Sequence, residues 1–462
     1  MSELESAPWC ARQRGAKQPW SWQRANRPAV LEQSLERDVR GSLASSRRSD
    51  DVIALLDIGT SKVACVIVAV PQWRAAVGLN EVGVRVLGTG VCPSRGVKSG
   101  TVFAVSEAEE AVREAVAQAE RGAQTAVESV LLAVACGRLR SATFTAETTV
   151  EGRVVEAADI ERLMVAAESH AERDGRMLLH LNCISYRLDG TGGIGHPLGL
   201  AGSKLGADLH AVTADDAPLR NMMHVVERAY LSAAGLVPAP YASALAATTG
   251  EERQRGVLCL DIGAGTTSLA AFAHGHLLSC EVVPIGGQHA TFDLAQALSA
   301  PVYEAERIKT HHVSLAGAAG DDRESIAYAL ADEETRTASR TTKGEVRAIV
   351  RDRMLRLFGE VANRLERSQA ARYAKRVVLT GGASQQAGLV ELAADLFARP
   401  VRVAQIEPVD GVLASFANAA FSPPAGLVQV ALDPSAGTHW ERHGPRTTGY
   451  LRRMGQWLRE SF

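Results

Sequence analysis

Two segments of the 462-residue sequence end an apolar run with nearly the same polar residues. The first reads Leu56-Asp57-Ile58-Gly59-Thr60-Ser61-Lys62, and the second reads Leu260-Asp261-Ile262-Gly263-Ala264-Gly265-Thr266-Thr267. Glycine exposes its backbone N–H without a Cβ atom, and serine and threonine add hydroxyl groups, so such turns suit phosphate oxygens. An aspartate at the end of each strand can reach a metal ion through water. The repeat therefore predicts a phosphate site that is clamped from two sides.

A third glycine turn, Leu379-Thr380-Gly381-Gly382-Ala383-Ser384, follows later in the chain. An aspartate after a strand also occurs where it only caps the next element, and a single copy would leave that alternative open. Three such turns in this order are poorly explained by coincidence. They indicate one nucleotide site to which both halves of the chain contribute.

Strands and helices must position these turns, and hydrophobic periodicity predicts them around each motif. Around the first motif we predict strands at 52–56, 63–70, 84–91 and 129–135 and a helix at 105–121. The second motif has the same strand order over 257–284, and strand 376–380 and helix 387–396 follow it. This internal duplication predicts two lobes that face each other across a cleft.

Two stretches interrupt the lobes. Between 137 and 212 we predict strands at 143–150, 178–188 and 208–213, a helix at 158–173 and a loop at Gly190–Gly193. A helix at 219–233, ended by Gly235, leads back to the first lobe. Between 286 and 355 a helix covers 290–298, and a basic helix over 345–367 follows. Pro423 and Pro424 are expected to interrupt the chain beyond the second lobe.

Composition excludes several classes of protein. The net charge of −2 and the pI of about 6.7 disfavour a general nucleic-acid binder, whose surface would be basic. Seven cysteines without Cys-x-x-Cys spacing predict neither a disulfide framework nor a zinc site, and they suit a reducing cytosol. No apolar run reaches the roughly 18 residues of a membrane span, and the N-terminus lacks the apolar core of a signal peptide.

The two ends of the chain differ from its body. Residues 1–50 show neither helical nor strand periodicity and are predicted to form a disordered arm with basic and aromatic residues. After a Pro-, Gly- and His-containing linker at 433–447, residues 448–462 place their apolar side chains on one face of a helix and their arginines on the other. This pattern predicts insertion into the headgroup region of an anionic membrane, the alternative being a helix docked on the protein itself. The membrane-binding residues would be Tyr450, Leu451, Arg452, Arg453, Met454, Trp457, Leu458, Arg459 and Phe462.

The order of the three glycine turns resembles that of the actin-like ATPase superfamily. Within it, the chain from 51 to 462 resembles the FtsA family of bacterial cell-division proteins. The specific strings are Leu56–Val63, Cys92–Val97, Pro197–Gly202 and the terminal Gly455-Gln456-Trp457-Leu458. The resemblance implies an α/β fold with two duplicated βββαβα-type lobes around a nucleotide cleft. The first lobe would comprise 51–136 and 213–250, an FtsA-type inserted subdomain 137–212, the second lobe 251–285 and 356–432, and its own inserted subdomain 286–355.

The resemblance also implies a ligand, ATP with Mg²⁺, and a role for each motif residue. The phosphate-binding residues would be Gly59, Thr60, Ser61, Lys62, Gly263, Gly265, Thr266, Thr267, Gly381 and Gly382. Asp57 and Asp261 would orient the hydration shell of Mg²⁺ without ligating it directly. Glu306 and Lys309 would bracket the adenosine, although an ordinary ion pair on a helix surface would have the same spacing.

One departure from the superfamily bears on hydrolysis. Ala239 stands in the segment where hydrolytic relatives often carry a Glu or Gln that positions the attacking water. Alanine can neither accept a proton nor orient a water molecule. We therefore predict no catalytic residue and at most a slow ATPase, in which the nucleotide acts as a structural or polymerisation switch.

The resemblance further implies a peripheral protein on the inner face of the cell membrane at the division septum. Its partners would be the acidic C-terminal tail of FtsZ, other copies of the chain in filaments, and later divisome proteins, but no nucleic acid. The basic residues Arg340, Arg351 and Arg353 are candidates for binding the FtsZ tail, against the alternative of a solvated helix face. Other superfamily members remain as alternatives: a sugar or acetate kinase, an actin-like scaffold of pilus assembly, and a chaperone-type ATPase. None of these three is expected to carry the amphipathic terminal segment.

Overall fold

A computed structural model of the chain describes residues 51–70, 84–151, 153–172, 175–316, 320–330, 339–368, 370–406 and 418–432. The predicted arm at 1–50, the linker at 433–447 and the amphipathic helix at 448–462 lie outside these residues. Within the described ranges, no helix has both the length and the apolar character needed to cross a membrane.

In chain order, the strands are β1 (Asp51–Ile58), β2 (Lys62–Val70), β3 (Arg85–Pro93), β4 (Val97–Lys98), β5 (Thr101–Val102), β6 (Ser129–Val134), β7 (Arg140–Thr149), β8 (Arg176–Leu188), β9 (Thr191–Ile194), β10 (Lys204–Asp215), β11 (Ser232–Pro238), β12 (Val257–Ile262), β13 (Thr267–Ala273), β14 (His276–Val283), β15 (Ser325–Tyr328), β16 (Ser339–Thr342), β17 (Arg376–Thr380) and β18 (Val401–Val403). The α-helices are α1 (Val105–Ala123), α2 (Ala157–Ala171), α3 (Asp216–Arg228), α4 (Ala239–Ala247), α5 (Gly250–Arg255), α6 (Gly287–Leu298), α7 (Val302–His312), α8 (Lys343–Arg367), α9 (Leu389–Phe397) and α10 (Ser422–Leu432).

The two lobes share one sheet design. The strand order is β11-β6-β1-β2-β3 in the first lobe and β18-β17-β12-β13-β14 in the second. In each lobe, the strand that ends at the motif aspartate pairs antiparallel with the next strand of a hairpin and parallel with a later strand. Leu55 and Leu56 are both fully buried because this sheet is covered on both faces, which explains the continuous apolar run of β1. The predicted duplication is confirmed.

Each lobe contributes one helix to the core of the other. Helix α4 follows β11 of the first sheet but packs on β12, β13, β14 and β17 of the second. Helix α10, which comes after the second sheet, packs on β1, β2 and β6 of the first. The two helices also contact each other so closely that a Cβ atom on Gly426 would overlap the carbonyl oxygen of Ala242. One buried apolar cluster therefore spans both lobes beneath the cleft.

The insertion in the first lobe forms a sheet of its own, with strand order β7-β10-β8-β9 and helix α2 packed against it. Its small core includes the fully buried Leu163, Leu205 and Leu209. The edge strand β7 lies beside β14 of the second lobe, where the Ser141 hydroxyl donates to the Cys280 carbonyl at 3.1 Å and accepts from the Cys280 N–H at 2.6 Å. The inserted sheet thus contacts both lobes.

Three local predictions were wrong. The helix predicted at 219–233 ends at Arg228, and Gly235 lies in β11, because parallel pairing with β6 prevails over local helical periodicity. Gly190–Gly193 is not a loop throughout: Asp189 and Gly190 have positive φ and form a tight turn, after which β9 pairs back on β8. Pro423 and Pro424 do not interrupt the chain but occupy the first turn of α10, where no intrahelical N–H donor is needed.

His210 makes the inserted sheet sensitive to acid. Its ring is completely buried, Nδ1 lies 3.1 Å from Asn182 Oδ1, and burial lowers the pKa of His210 to about 4. A histidine with a depressed pKa contributes stability that is fully present above its unfolded pKa of about 6.5. This stability is lost as the pH falls from about 6.5 to the folded-state pKa of about 4.

We expect the His210→Phe variant to lose less stability than wild type between pH 7 and pH 4, where the wild-type loss from this group reaches about 3 kcal/mol. Chemical unfolding followed at several pH values measures the difference. His196→Phe, an exposed position in the same subdomain, is the control and should keep the wild-type pH profile. Identical profiles for wild type and His210→Phe would contradict the prediction.

Candidate functional site

The two motif turns have the same backbone geometry. In the β1–β2 turn the Gly59 N–H donates to the Lys62 carbonyl at 3.0 Å, and in the β12–β13 turn the Gly263 N–H donates to the Thr266 carbonyl at 2.9 Å. The turns also touch each other, since a Cβ atom on Gly265 would lie 2.6 Å from Thr60 Oγ1. Two equivalent turns, one from each lobe, therefore face each other at one place.

A cleft of about 820 Å³ opens beside these turns. Most of the predicted nucleotide residues line it: Asp57, Gly59, Thr60, Ser61, Lys62, Asp261, Gly263, Thr266, Glu306, Lys309, Gly381 and Gly382. Two do not line it. Gly265 packs against Thr60, and the buried Thr267 donates its hydroxyl to the Ile285 carbonyl at 2.7 Å. These two residues contact other parts of the protein rather than the cleft.

Asp57, Asp261 and Lys62 form a charged group at the bottom of the cleft, in which Asp261 is buried and the other two side chains are partly buried. Burial raises the pKa of Asp57 to about 7; the Lys62 charge opposes this shift and the Asp261 charge adds to it. Burial likewise raises the pKa of Asp261, against a 2.5 Å hydrogen bond donated by Ser243 and the charge of Lys62. The pKa of Lys62 is lowered by burial despite the two carboxylates. One ammonium for two carboxylates leaves the group short of positive charge.

The carboxylate oxygens at the bottom of the cleft suit a magnesium ion that is bound through water molecules. Mg²⁺ prefers carboxylate oxygens and keeps several of its waters. Asp57 and Asp261 are carboxylates in a polar cleft, and the described residues contain no cluster of three or more His, Cys, Asp or Glu side chains that could hold a metal ion by itself. When bound, the ion would supply positive charge between these carboxylates and a phosphate chain.

Lys62 is held by a segment remote in sequence. Its ammonium donates to the Ala420 carbonyl and lies 3.5 Å from the centroid of the Phe421 ring. These residues directly precede α10, so the first motif turn is tied to the entry of the helix that crosses between the lobes. This contact could not be predicted from the sequence, because nothing local marks residues 420 and 421 as neighbours of Lys62.

The third glycine turn packs against the second motif turn at the bottom of the cleft. Gly381 has φ of +85° and ψ of 161°, a conformation essentially confined to glycine. A Cβ atom there would overlap the carboxylate of Asp261 and lie 2.6 Å from the Ile262 carbonyl oxygen. Gly381 is therefore required both by its backbone conformation and by its close approach to Asp261.

Glu306 and Lys309 belong to a hydrogen-bond network on α7. Lys309 Nζ donates to Glu306 Oε2 at 2.7 Å, to Thr291 Oγ1 at 2.8 Å and to the Gly287 carbonyl at 3.2 Å. An ammonium has three N–H donors, so all of them are used within the protein. Thr291 also donates to Glu306 Oε2. In this arrangement Lys309 positions Glu306, whose side chain is half exposed at the cleft.

Two residues of α4 lie at this end of the cleft, of which one lines it and the other contacts Asp261. Ala239, the first residue of α4, lines the cleft and is 4% exposed, so no acid or amide side chain is supplied from the place where hydrolytic relatives often carry one. Ser243, one turn later, is the buried donor to Asp261. Ser243 is the small hydroxyl residue of a helix that is otherwise apolar apart from Tyr241, and this was the signal in the sequence that could have identified it.

The three candidate partner-binding arginines lie outside the cleft. Arg353 forms a bidentate ion pair with Asp293 of α6, with Nε–Oδ2 at 2.5 Å and Nη2–Oδ1 at 2.6 Å. Arg351 donates to the Leu315 carbonyl at 3.3 Å, and Arg340 on β16 donates to the Ser325 hydroxyl at 3.5 Å. Arg353 is thus engaged within the chain much more strongly than the other two.

Family models match two parts of the sequence. A model described as cell division protein FtsA matches residues 258–424, which include the second and third glycine turns. A model described as the SHS2 domain inserted in FtsA matches residues 136–213, the segment that forms the separate β7-β10-β8-β9 sheet. Both models therefore point to the same family.

Whole-chain comparisons agree. The chain is 38% identical over 428 residues to the cell division protein FtsA of Agrobacterium fabrum, covering 90% of this chain and 96% of that protein. It is 30% identical over 416 residues to the protein of the same name from Escherichia coli strain K12, covering 88% and 97%. Among solved structures it is similar to the PilM-PilN type IV pilus biogenesis complex, with a TM-score of 0.58 and 18% identity over 83% of this chain and 99% of that one. At that identity the similarity concerns the fold alone, which is that of the actin-like ATPases.

Proposed function

This chain belongs to the FtsA family of cell-division proteins, and from that premise we propose that it binds MgATP between its lobes and tethers FtsZ filaments to the cytoplasmic membrane. It would lie on the inner face of that membrane at the division septum, held there by residues 448–462. In that position it would associate with further copies of itself and recruit later divisome proteins.

The observation that best supports nucleotide binding is the pair of equivalent turns that meet beside the buried carboxylates. Exposed amides and hydroxyls from both lobes would hold the phosphate chain, with Gly381 and Gly382 on a third side. Asp57 and Asp261 would orient the waters of Mg²⁺. A ligand that contacts both lobes at once favours the closed arrangement, so ATP would act as a conformational switch.

Hydrolysis is proposed to be slow. Ala239 cannot activate water, and the other side chains supplied by α4 at this end are apolar or engaged, as Ser243 is with Asp261. Because the phosphate contacts are in place and Ala239 supplies no general base, we expect ATP to be bound firmly and hydrolysed slowly. The nucleotide would then serve chiefly to set lobe geometry and polymerisation.

The membrane and FtsZ contacts are proposed from the sequence and the family. The face of 448–462 that carries Trp457 and Leu458 would enter the headgroup region, and its arginines would meet anionic lipid. For the acidic FtsZ tail, Arg340 and Arg351 are the better candidates, since within the part of the chain that the structure describes each has one long hydrogen bond. Arg353 would have to leave Asp293 to take part.

Liposome co-sedimentation tests the anchor. The full chain, with MgATP and vesicles containing anionic lipid, should pellet with the vesicles, whereas a chain ending at residue 447 should stay in the supernatant. A full-length Trp457→Glu variant is the matched control, because it keeps the length and the arginines but places a charge on the apolar face. FtsZ should pellet only when the full chain is present. Equal sedimentation of the full and shortened chains would refute the membrane-anchor proposal.

A further inference from the structure

None of the six tryptophans of the chain lies within the residues that the structure describes. Tryptophan is highly buried on average in globular proteins, yet the described cores are built without it. Tryptophan is also enriched where proteins meet the headgroup region of a membrane. Five of the six belong to the two terminal segments, before β1 and after α10: Trp9, Trp20, Trp22, Trp440 and Trp457.

The tryptophans of the N-terminal arm lie in its most basic stretch. Residues 9–27 contain no aspartate or glutamate, although the whole chain has 50 basic and 52 acidic residues. The cations of the stretch are Arg12, Arg14, Lys17, Arg24 and Arg27. Each lysine or arginine that reaches an anionic membrane surface strengthens binding about fivefold. The stretch therefore combines indole rings for the headgroup region with cations for anionic lipid.

Strand β1 fixes the point at which the arm joins the first lobe. Asp57 lines the cleft near one end of β1, and Asp51 begins the strand at the other end, where it is paired with Val70 of β2. The strand between the two aspartates is about 20 Å long. The arm therefore leaves the first lobe on the side away from the cleft.

Helix α10 carries the other end of the chain to that side. It begins at the cleft, which Pro423 lines, as does Ala239 at the start of α4. About one turn along each helix, Gly426 of α10 contacts Ala242 of α4, and α10 packs on β1, β2 and β6. The helix thus runs from the cleft over the sheet for about 16 Å. Its last residue, Leu432, lies on the side of the first lobe away from the cleft, and the linker continues from there.

We propose that residues 9–27 form a second membrane-binding segment, with the three tryptophans in the headgroup region and the five cations on anionic lipid. This inference rests on the proposed function, because the anchor at 448–462 is what brings this side of the first lobe to the bilayer. The roughly 30 residues between Trp22 and Asp51 can span up to about 100 Å, about twice the reach of the linker at 433–447. A bilayer that the terminal segment reaches is therefore within reach of the arm.

Two contacts on one chain strengthen each other. Once residues 448–462 are bound, the arm meets the same surface at a high effective concentration, so the combined affinity exceeds that of either segment alone. Residues 448–462 are too few to form a stable helix in water, and they therefore gain from a second contact.

Vesicle titration of full-length variants tests the arm. On vesicles that contain anionic lipid, replacing the five cations of 9–27 with glutamine should weaken binding at least about fivefold, and the loss should shrink on neutral vesicles. Replacing the three tryptophans with alanine should weaken binding at least about fivefold, and replacing them with phenylalanine should restore part of the loss. The matched control, Leu31→Ala with Leu35→Ala and Leu43→Ala, removes three apolar side chains elsewhere in the arm and should bind as wild type does.

Tryptophan fluorescence locates the contact directly. A chain with Trp73→Phe, Trp440→Phe and Trp457→Phe keeps indole rings only in the arm. Saturating anionic vesicles should shift its emission to shorter wavelength, and brominated lipid should quench it, because the rings enter the headgroup region.

The outcomes separate the two proposals. If wild type binds no vesicles, the membrane anchor is refuted and the second contact with it. If the anchor is needed but both arm variants bind vesicles as wild type does, and the emission does not shift, the second contact is wrong while the anchor stands. Arm variants that keep vesicle affinity but lose FtsZ from the pellet would show that the arm binds a protein, which would also overturn the proposal.

Discussion

Replacing Gly381 with alanine should strongly weaken nucleotide binding and destabilise the fold. At φ +85° and ψ 161° an alanine is strained by about 1–3 kcal/mol, and its methyl group would overlap the Asp261 carboxylate. Asp261 must then move away from the position in which Ser243 holds it. We expect an ATP affinity reduced at least about 100-fold, since one displaced charged group at a buried site costs about 3 kcal/mol or more.

The adjacent glycine supplies the control. A Cβ atom on Gly382 would have as its nearest neighbour only the Ala420 side chain, at 3.8 Å. Gly382→Ala should therefore unfold at the wild-type temperature, while Gly381→Ala unfolds several degrees lower. Thermal unfolding and nucleotide titration on the three proteins give both readouts. Wild-type affinity in Gly381→Ala would show that Asp261 does not need its present position.

The Asp57→Asn variant should be more stable than wild type without ligand and insensitive to MgATP. Because the folded-state pKa of Asp57 is about 7 and the unfolded value is 3.8, the carboxylate costs stability as the pH rises through this range, and the full cost is reached above pH 7. Asparagine removes that cost, so the gain at pH 8 can reach about 4 kcal/mol and should vanish as the pH falls toward 4. Wild type instead gains about 2.7 kcal/mol from MgATP at 100 times the dissociation constant.

Thermal unfolding at pH 8, with and without MgATP, measures both effects. Asp395→Asn, which removes one carboxylate from an exposed position on α9, is the matched control and should behave as wild type in each condition. A ligand-free Asp57→Asn protein less stable than wild type would mean that the carboxylate is needed for packing. A full MgATP response in that variant would exclude Asp57 from orienting the metal.

Sequence patterns identified the turns that the structure brings together at one cleft. The Asp-Ile-Gly-Thr and Asp-Ile-Gly-Ala-Gly-Thr turns required glycine for their conformation, and the apolar strands before them could be identified from composition alone. The same reasoning also predicted Gly265 and Thr267 as phosphate-binding residues of the second turn, but neither lines the cleft. Sequence cannot distinguish a turn residue that lines the cleft from one that packs on the opposing turn, as Gly265 does, or bonds to the Ile285 carbonyl, as Thr267 does, since all of them are small or hydroxylated.

The contacts that sequence missed join distant segments. Lys62 meets Ala420 and Phe421 across more than 350 positions of chain, and Ser243 reaches Asp261 from a helix that follows another sheet. The end of α3 and the placement of Gly235 were missed for a related reason. Both depend on the pairing of β11 with β6, which local hydrophobic periodicity does not reveal. Such features depend on tertiary neighbours that only the folded chain brings together.

The exchange of α4 and α10 between the sheets determines how the protein can be divided. A polypeptide that stops before β12 would lack the helix that covers β1, β2 and β6, and one that starts there would lack the helix that covers β12, β13, β14 and β17. Each fragment would expose an apolar sheet face and aggregate when expressed alone. The two halves are therefore not independent folding units, and co-expression is the condition under which they should reassemble.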